Sequence, residues 1–208
     1  VPRSAVPTIV GDCITKGVGG AAIFTSGFSE TNTEEGRQLE DLLVEMAKET
    51  SFNIIGPNCM GIFNPKIGVR HDVNQYHGEA GPVGFISQSG THAIFFSLLG
   101  ASNGIRISKS VSYGNGAVLD STDYLEYLAL DRETEIIGMY IEGVKDGARF
   151  LHCLSEATRK KPVLVWKGGK GDEGYRAISC HTGSMASSPT VWRSIIRQCG
   201  AIEVDNLN

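Results

Sequence analysis

The chain has 208 residues, enough for one large or two smaller α/β domains, and its 19 Lys and Arg against 23 Asp and Glu give a net charge of -4. This acidic balance argues against the basic surface of a nucleic-acid-binding protein or of a protein that binds anionic membranes, and no apolar run approaches the roughly 18 to 20 residues that span a bilayer. With no basic-then-apolar leader at its start, and with 5 scattered cysteines that form no CxxC pair, the sequence predicts a cytoplasmic protein without a disulfide framework or zinc site.

The first part of the chain alternates between apolar strand patterns and one helix pattern. Strands are predicted from GAAIFTSG (20–27) and FNIIGPN (52–58), and a helix from TEEGRQLEDLLVEMAKET (33–50). Their order and short connections predict parallel pairing of the two strands. A nucleotide-binding α/β domain normally begins with a strand and a glycine-rich turn. Because neither precedes this segment, we expect the chain to begin partway through its first domain.

The next stretch, residues 59–81, scatters Gly, Pro and Asn without a sustained period. We therefore predict an irregular connection with a domain boundary near residues 76–81, which divides the chain into 1–78 and 79–208. Beyond it, the chain alternates between strands, predicted within 81–90, 104–114, 135–143, 162–169 and 201–205, and helices, predicted within 91–102, 121–133, 147–161 and 188–200. Five strands alternating with four helices predict a flavodoxin-like, doubly wound parallel sheet.

Ligands of open parallel sheets bind at the carboxyl ends of the strands, so the turns after the predicted strands are the candidate sites. One such turn, FISQSGTHA, leads into a helix through Ser87, Gln88, Ser89, Gly90 and Thr91. Backbone N–H groups, hydroxyls and the positive end of the helix suit a phosphate. An ordinary Ser or Thr N-cap explains the same residues equally well, and His92 is interpreted as a helix residue rather than a ligand.

Two further turns hold an acid and a histidine. Glu142 ends an apolar strand, where it is either solvated or buried with a partner, and the local residues favour solvation. His181 lies in YRAISCHTGSMASS, among small residues that leave room around the ring: Ser179, Thr182, Gly183 and Ser184. A lone His is more often structural, yet a neutral imidazole is available for nucleophilic attack at cell pH. Together the three turns form a coherent set, in which His181 carries a phosphoryl group and Glu142 fixes its tautomer.

Several longer stretches carry a family resemblance. They are KGVGGAAIFTSGFSE, IIGPNCMGIFNP, GFISQSGTHA, SYGNGAVLDSTDYLEYLALDRETEIIGMYIEG, KPVLVWKGG and SCHTGSMA. In these stretches the chain resembles the nucleoside-diphosphate-forming acyl-CoA synthetases, the superfamily of succinyl-CoA synthetase, and in particular the ADP-forming acetyl-CoA synthetases of α-subunit type. The resemblance implies the later half of a Rossmann-like CoA-binding domain over residues 1–78, followed by a flavodoxin-like succinyl-CoA-ligase domain over 79–208.

The resemblance also implies a reaction and a set of site residues. ATP phosphorylates a histidine, and acyl phosphate and CoA exchange reversibly for acyl-CoA through that phosphohistidine. On this chain the resemblance makes His181 the nucleophile and Glu142 its supporting carboxylate. The implied phosphate-binding residues are Ser87, Gln88, Ser89, Gly90, Thr91, Thr182, Gly183 and Ser184. The implied residues where the acyl group and CoA meet are Ser26, Gly27, Phe28, Asn58, Cys59 and Asn115. For Cys59 the alternative is a packing role.

The resemblance implies substrates and partners rather than a bound cofactor. CoA, ATP or ADP and a small carboxylic acid are the implied substrates, with no covalent cofactor and no metal site in this chain. Mg²⁺ is expected with the nucleotide in an ATP-grasp domain or β subunit, without which this chain is expected not to catalyse the full reaction, and an oligomer is expected. The alternatives are a regulatory acyl-CoA-binding module of an acetyltransferase-type fusion, which can lack the histidine, and a purely structural role. Which carboxylic acid is activated, and whether the product nucleotide is ADP or GDP, are left open by the sequence.

Overall fold

The computed structural model describes residues 1–169 and 189–207. The helices are α1 Val6–Thr15, α2 Glu34–Thr50, α3 Gly90–Ser102, α4 Ser121–Leu130, α5 Gly147–Thr158 and α6 Pro189–Gln198. The strands are β1 Gly20–Ala22, β2 Asn53–Ile55, β3 Gly61–Phe63, β4 Val83–Ser87, β5 Ile107–Ser112, β6 Ile136–Ile141, β7 Val163–Lys167 and β8 Ile202–Val204. None of the helices in these two ranges is both long and apolar enough to cross a membrane.

The small part of the molecule, residues 1–58, contains α1, β1, α2 and β2. The two strands pair in parallel, with Gly20 opposite Asn53 and Ala22 opposite Ile55, which confirms the predicted strand, helix, strand order. Between them, α2 begins where the Thr33 hydroxyl accepts a hydrogen bond from the backbone N–H of a residue in the first turn. The helix buries one face of its amphipathic sequence against a core that includes Phe28, Leu43, Ala47, Phe52 and Ile54.

Helix α1 was not predicted from the sequence. Its residues, VPTIVGDCIT, include Pro, Gly and several β-branched side chains, all of which are weak helix formers. Val6 and Val10, one turn apart, are buried in the same core as Leu43 of α2. Tertiary packing therefore stabilises a helix that local propensity does not favour.

Within residues 1–169 and 189–207, the large sheet contains six strands in the order β3-β5-β4-β6-β7-β8. Strands β4 to β8 are parallel and follow the order of flavodoxin-like sheets, which confirms the predicted fold of the second part. Phe96 of α3 stacks on Phe85 at 4.0 Å, whereas the adjacent Ile86 packs in a cluster with α4, α5 and α6. Because neighbouring residues of a strand face opposite sides, the helices cover both faces of the sheet.

The prediction of an irregular connection over residues 59–81 is wrong for Gly61–Phe63, which form β3. This strand pairs antiparallel with β5, with Gly61 opposite Ser112 and Phe63 opposite Ser110. Three residues are too few to show an alternating pattern, so the strand gives no periodic signal in the sequence. Residues that precede the predicted boundary thus extend the large sheet, and the division into 1–78 and 79–208 stays a prediction.

Candidate functional site

The candidate site lies at the edge of the large sheet where β4 to β8 end, called here the carboxyl edge. Strand β4 has β5 on one side and β6 on the other, so the chain order changes direction between β4 and β6. A crevice outside the strand ends opens at this kind of switch point and is the usual ligand site of a doubly wound sheet. The turns predicted to carry phosphate chemistry follow these two strands and β7.

Gln88 ties the turn after β4 to the turn after β6. Its side-chain oxygen Oε1 accepts hydrogen bonds from the backbone N–H of Glu142 at 2.8 Å and of Gly143 at 3.2 Å. The buried Tyr113, just beyond β5, donates its hydroxyl to the same oxygen at 3.3 Å. One amide oxygen therefore fixes three neighbouring turns of the carboxyl edge relative to each other.

The turn from Ser87 to Thr91 places the first residues of α3 at this edge. Ser89 is the N-cap, and its hydroxyl accepts a hydrogen bond from the backbone N–H of His92 at 3.4 Å. The N-cap interpretation of this turn is therefore correct, and it is compatible with an anion site, since one capping bond leaves other N–H groups of the first turn pointing outward. At Gly90 an added Cβ would lie 2.5 Å from Cγ of Met60, so a larger residue here would displace the Met60 side chain.

Glu142 stands just beyond the end of β6 and is half-buried rather than fully solvated. Its Oε1 accepts a hydrogen bond from the Tyr140 hydroxyl at 3.2 Å, and its backbone is held by Gln88. The prediction that the Glu142 carboxylate is solvated is therefore wrong in part, because Tyr140, two residues earlier in the chain, donates a hydrogen bond to it. Side chains two apart on a strand share a face, which is why this donor reaches the carboxylate.

The predicted nucleophile His181 and its neighbours Thr182, Gly183 and Ser184 lie outside the described residues. The flanking described residues are Gly169, which follows β7, and Pro189, which begins α6. Strands β7 and β8 are parallel and α6 connects them, so the end of β7 and the start of α6 lie at the same edge. Both flanking residues therefore lie at the carboxyl edge.

The predicted CoA residues meet where the small part contacts the large sheet. Asn58 donates from Nδ2 to Oδ1 of Asn115 at 3.3 Å, and its backbone N–H donates to the Thr25 carbonyl at 3.0 Å. Asn115 in turn donates from Nδ2 to Oε2 of Glu30 at 2.6 Å and to Oε2 of Glu40 at 2.8 Å. Together with Ser29, which donates its hydroxyl to Glu40 at 2.7 Å, these side chains form what is called here the Asn115 network: Ser29, Glu30, Glu40, Asn58 and Asn115.

Two carboxylates of this network were missed by the sequence analysis. Glu30 accepts hydrogen bonds from the backbone N–H of Gly27 at 2.5 Å and of Phe28 at 3.1 Å, and so fixes the predicted substrate loop from within. An acid three residues after a glycine turn was the available signal for Glu30, because a side chain at that spacing can bond back to the turn. Ser26 is exposed, whereas the Phe28 side chain is fully buried, which gives that ring a packing role.

Cys59 is buried between the two parts of the chain. Its Sγ donates to the Ile23 carbonyl at 3.3 Å, and burial raises the pKa of the thiol to about 11. The thiol is therefore protonated at neutral pH and is a weak nucleophile, which favours the packing alternative for this residue. Over residues 1–169 and 189–207, no three His, Cys, Asp or Glu side chains come together in a way that could hold a metal ion.

Comparison with known proteins identifies similar chains across the whole length. A family model described as the succinyl-CoA ligase like flavodoxin domain matches residues 80–208. The Archaeoglobus fulgidus protein acetate–CoA ligase (ADP-forming) I is 41% identical over 207 residues, and the match covers 100% of this chain and 30% of that protein. The Pyrococcus furiosus acetate–CoA ligase (ADP-forming) II subunit alpha is 40% identical over 208 residues, and the match covers 100% of this chain and 45% of that protein.

A solved structure is similar to the fold of the whole chain. It is the dinucleotide forming acetyl-coenzyme A synthetase 1 of Ca. Korarchaeum cryptofilum in complex with phosphate and ADP, with a TM-score of 0.88 and 33% identity. The superposition covers 99% of this chain and 44% of that chain. The present chain thus spans less than half the length of each of these relatives.

Proposed function

Because the chain belongs to the family of succinyl-CoA ligase like flavodoxin domains, we propose that it is part of an acid–CoA ligase that forms a nucleoside diphosphate. In this proposal the complete protein interconverts acyl-CoA, ADP and phosphate with acid, CoA and ATP through a phosphohistidine at His181. The observation that carries the proposal is the carboxyl edge itself. There Gln88 ties the start of α3 to Glu142, and β6, which Glu142 follows, pairs with β7, which precedes the residues that contain His181.

The proposed chemistry uses the residues of this edge in separate roles. The neutral His181 imidazole attacks the terminal phosphorus of ATP, so that a nitrogen–phosphorus bond forms and the bond to ADP breaks. The Glu142 carboxylate accepts a hydrogen bond from the ring N–H of His181. This bond fixes the tautomer and stabilises the charge that develops on the imidazole. The first turn of α3, from Ser89 to Thr91, offers backbone N–H groups to the phosphoryl oxygens.

The second half of the proposed reaction takes place beside the Asn115 network. The phosphoryl group passes to the carboxylate of the acid, and the CoA thiol then attacks the acyl carbon and releases phosphate. The two proposed regions are adjacent, since Gly90 of the α3 turn packs against Met60, whose backbone N–H bonds Ser112 Oγ at 3.1 Å. This proximity supports a reaction in which both regions contribute to one site.

The proposed partners follow from what the chain spans. The matches cover 30% and 45% of two relatives, one of which is named a subunit alpha. We therefore propose an ATP-grasp domain or β subunit that binds ATP with Mg²⁺ and loads the histidine, within an oligomeric cytoplasmic enzyme. The acid is a small carboxylic acid whose identity depends on pocket side chains. A regulatory acyl-CoA-binding module is the second candidate, and it predicts acyl-CoA binding without phosphorylation.

The test uses the complete protein together with its ATP-grasp domain or subunit. Native protein incubated with γ-labelled ATP is expected to acquire an acid-labile, base-stable label. At neutral pH this label is expected to disappear when the carboxylic acid substrate and CoA are added. His181→Ala is expected to abolish the label, whereas His152→Ala, which changes an exposed histidine on α5, keeps it. A label that survives His181→Ala, or a native protein that binds acyl-CoA but never takes the label, would overturn the proposal.

A further inference from the structure

Three aromatic rings from three different elements meet at the carboxyl edge. His92 belongs to the first turn of α3, Tyr140 to the last residues of β6 and Trp166 to β7. The His92 ring stacks on the Tyr140 ring with centroids 4.2 Å apart and planes 20° from parallel. Trp166 meets Tyr140 at 4.7 Å and 68° and meets His92 at 4.7 Å and 87°. The Tyr140 ring is thus in contact with aromatic rings on two sides.

This fixed ring presents its hydroxyl to Glu142. Tyr140 is only 6% exposed, and burial raises the pKa of its hydroxyl, so the group stays protonated at neutral pH. A carboxylate can only accept a hydrogen bond, so the hydroxyl is the donor in the 3.2 Å contact with Oε1 of Glu142. Hydrogen bonds to a charged group are stronger than those between neutral groups.

Both the backbone and the side chain of Glu142 therefore have hydrogen-bond partners at the carboxyl edge. Gln88 accepts from its backbone N–H at 2.8 Å, and Tyr140 donates to its carboxylate. A glutamate side chain has three rotatable torsions, and ordering them costs conformational entropy. The contact with Tyr140 restricts these torsions before a ligand arrives, and the contact with Gln88 fixes the backbone from which the side chain extends, which favours precise alignment of a reacting group.

His92 contributes through its ring rather than through a hydrogen bond. Its Nδ1 is buried and has no hydrogen-bond partner among the described residues. Burial lowers the pKa of His92, and a charged ring would also be disfavoured at the positive N-terminal end of α3. The ring is therefore neutral at neutral pH and acts as a flat packing surface for Tyr140.

We propose that Tyr140 is a positioning residue that aligns the Glu142 carboxylate at the carboxyl edge, with His92 and Trp166 as the walls that fix its ring. This inference rests on the proposed function, in which Glu142 orients His181 for phosphoryl transfer. Tyr140 touches no reacting atom in this account. It acts only through Glu142, so its loss is expected to slow the chemical step without weakening substrate binding.

The main test replaces Tyr140 with Phe, which removes the hydroxyl and keeps the ring. In the complete protein, the single-turnover rate of phosphoenzyme formation is expected to fall about tenfold, since one hydrogen bond to a charged group is lost. The KM values for CoA and for the acid are expected to stay unchanged. Tyr127→Phe is the matched control, because Tyr127 lies on α4 and is 57% exposed, and it is expected to keep the native rate.

Two further variants separate positioning from general damage. His92→Phe keeps a flat stacking ring and is expected to remain close to the native rate, whereas His92→Ala is expected to lose about as much as Tyr140→Phe. The double variant Tyr140→Phe with Glu142→Gln is expected to be no slower than Glu142→Gln alone, because the hydroxyl acts through the carboxylate. Thermal unfolding of each variant shows whether a lower rate of phosphoenzyme formation is due only to a loss of folded protein.

The failure of this inference is distinguishable from the failure of the proposed function. A native protein that never forms the phosphoenzyme contradicts the proposed function. A native protein that is phosphorylated, with Tyr140→Phe phosphorylated at the same rate or with a raised KM alone, overturns the positioning role and leaves the proposed function standing. Loss of the rate in His92→Phe would overturn the packing role of His92, since it would show that the imidazole itself takes part.

Discussion

The small part and the large sheet have the same kind of architecture but are stabilised differently. In the part of the chain that the structure describes, the large sheet has six strands, and a large apolar core lies between the strands and the helices α4, α5 and α6. The small part has two strands of three residues each, and an isolated pair of that size is marginal in water. Its polar contacts with the loop after β5, above all those of Asn115, therefore matter more for its stability. The proposed CoA-binding residues lie in this contact, so stability and function are coupled there.

The most disruptive change to this contact is expected at Gly114. Its φ is +54°, and an added Cβ would lie 2.0 Å from the Asn58 carbonyl oxygen. Gly114→Ala is expected to lower the free energy of unfolding by about 2 to 4 kcal/mol, through backbone strain and a steric clash with the small part. Urea denaturation measures this change.

A matched glycine separates the two causes of that loss. Gly104 has a φ of +76° but has nothing within 4 Å of an added Cβ, so Gly104→Ala carries the backbone strain alone, about 1 to 2 kcal/mol. Equal losses in the two variants would show that the close approach of Gly114 to Asn58 contributes nothing.

A smaller effect is expected from removal of the Asn115 side chain. Asn115→Ala leaves Glu30 and Glu40 without their shared amide donor, which is expected to cost about 1.5 to 3 kcal/mol. The loss is expected to appear as faster hydrogen exchange in α2, with β6 and β7 unchanged. The control Asn74→Ala alters an exposed loop residue and is expected to change stability by less than about 0.5 kcal/mol. Faster exchange in β6 or β7 as well would contradict a contact that stabilises the small part selectively.

The smallest effect concerns the ion pair between Lys109 of β5 and Asp131, the residue that follows α4. Partial burial alone would raise the pKa of Asp131, but hydrogen bonds from Lys109 at 2.8 Å and from Thr134 at 2.7 Å lower it below its usual value. A lowered folded-state pKa stabilises the fold above the unfolded-state value near 3.8, and this contribution is lost as the pH falls through the lower value.

Asp131→Asn is the variant that tests this contribution. It is expected to lower the free energy of unfolding at pH 7 by less than about 1 kcal/mol and to flatten its decline below pH 4. The urea midpoint at several pH values measures the change. If the free energy of unfolding of Asp131→Asn falls below pH 4 as steeply as that of the native protein, other carboxylates cause the fall.

The sequence predicted the five parallel strands of the large sheet better than it predicted the small part, for a physical reason. The strands of the large sheet alternate with helices of ten residues or more, and each element carries its own periodic pattern. Helix α1 and strand β3 lack such patterns, because their stability comes from partners that are distant in sequence. Val10 packs with Leu43, and Phe63 pairs with Ser110.

The candidate site was predictable in outline but not in its contacts. Parallel strands bring the turns after β4 and β6 together, so the meeting of Gln88 and Glu142 follows from the topology. The role of Gln88 as the acceptor that joins them depends on side-chain geometry across 54 positions of sequence, and the contacts of Asn115 with Glu30 and Glu40 span 85 and 75 positions. No local pattern encodes such pairings. The role of His181 stays a prediction.

Localisation of the phosphoryl group on the protein is the sharpest test of phosphoryl transfer to His181 at the carboxyl edge. The complete protein is phosphorylated with ATP, digested with trypsin under neutral conditions and analysed by tandem mass spectrometry. Cleavage after Arg176 and Arg193 yields the peptide spanning residues 177–193, which contains His181. A phosphoryl group is expected on His181 in this peptide, and it is expected to be lost when the carboxylic acid substrate and CoA are added before digestion. A phosphoryl group on any other residue, or none on this peptide while acyl-CoA is still formed, would contradict phosphoryl transfer to His181.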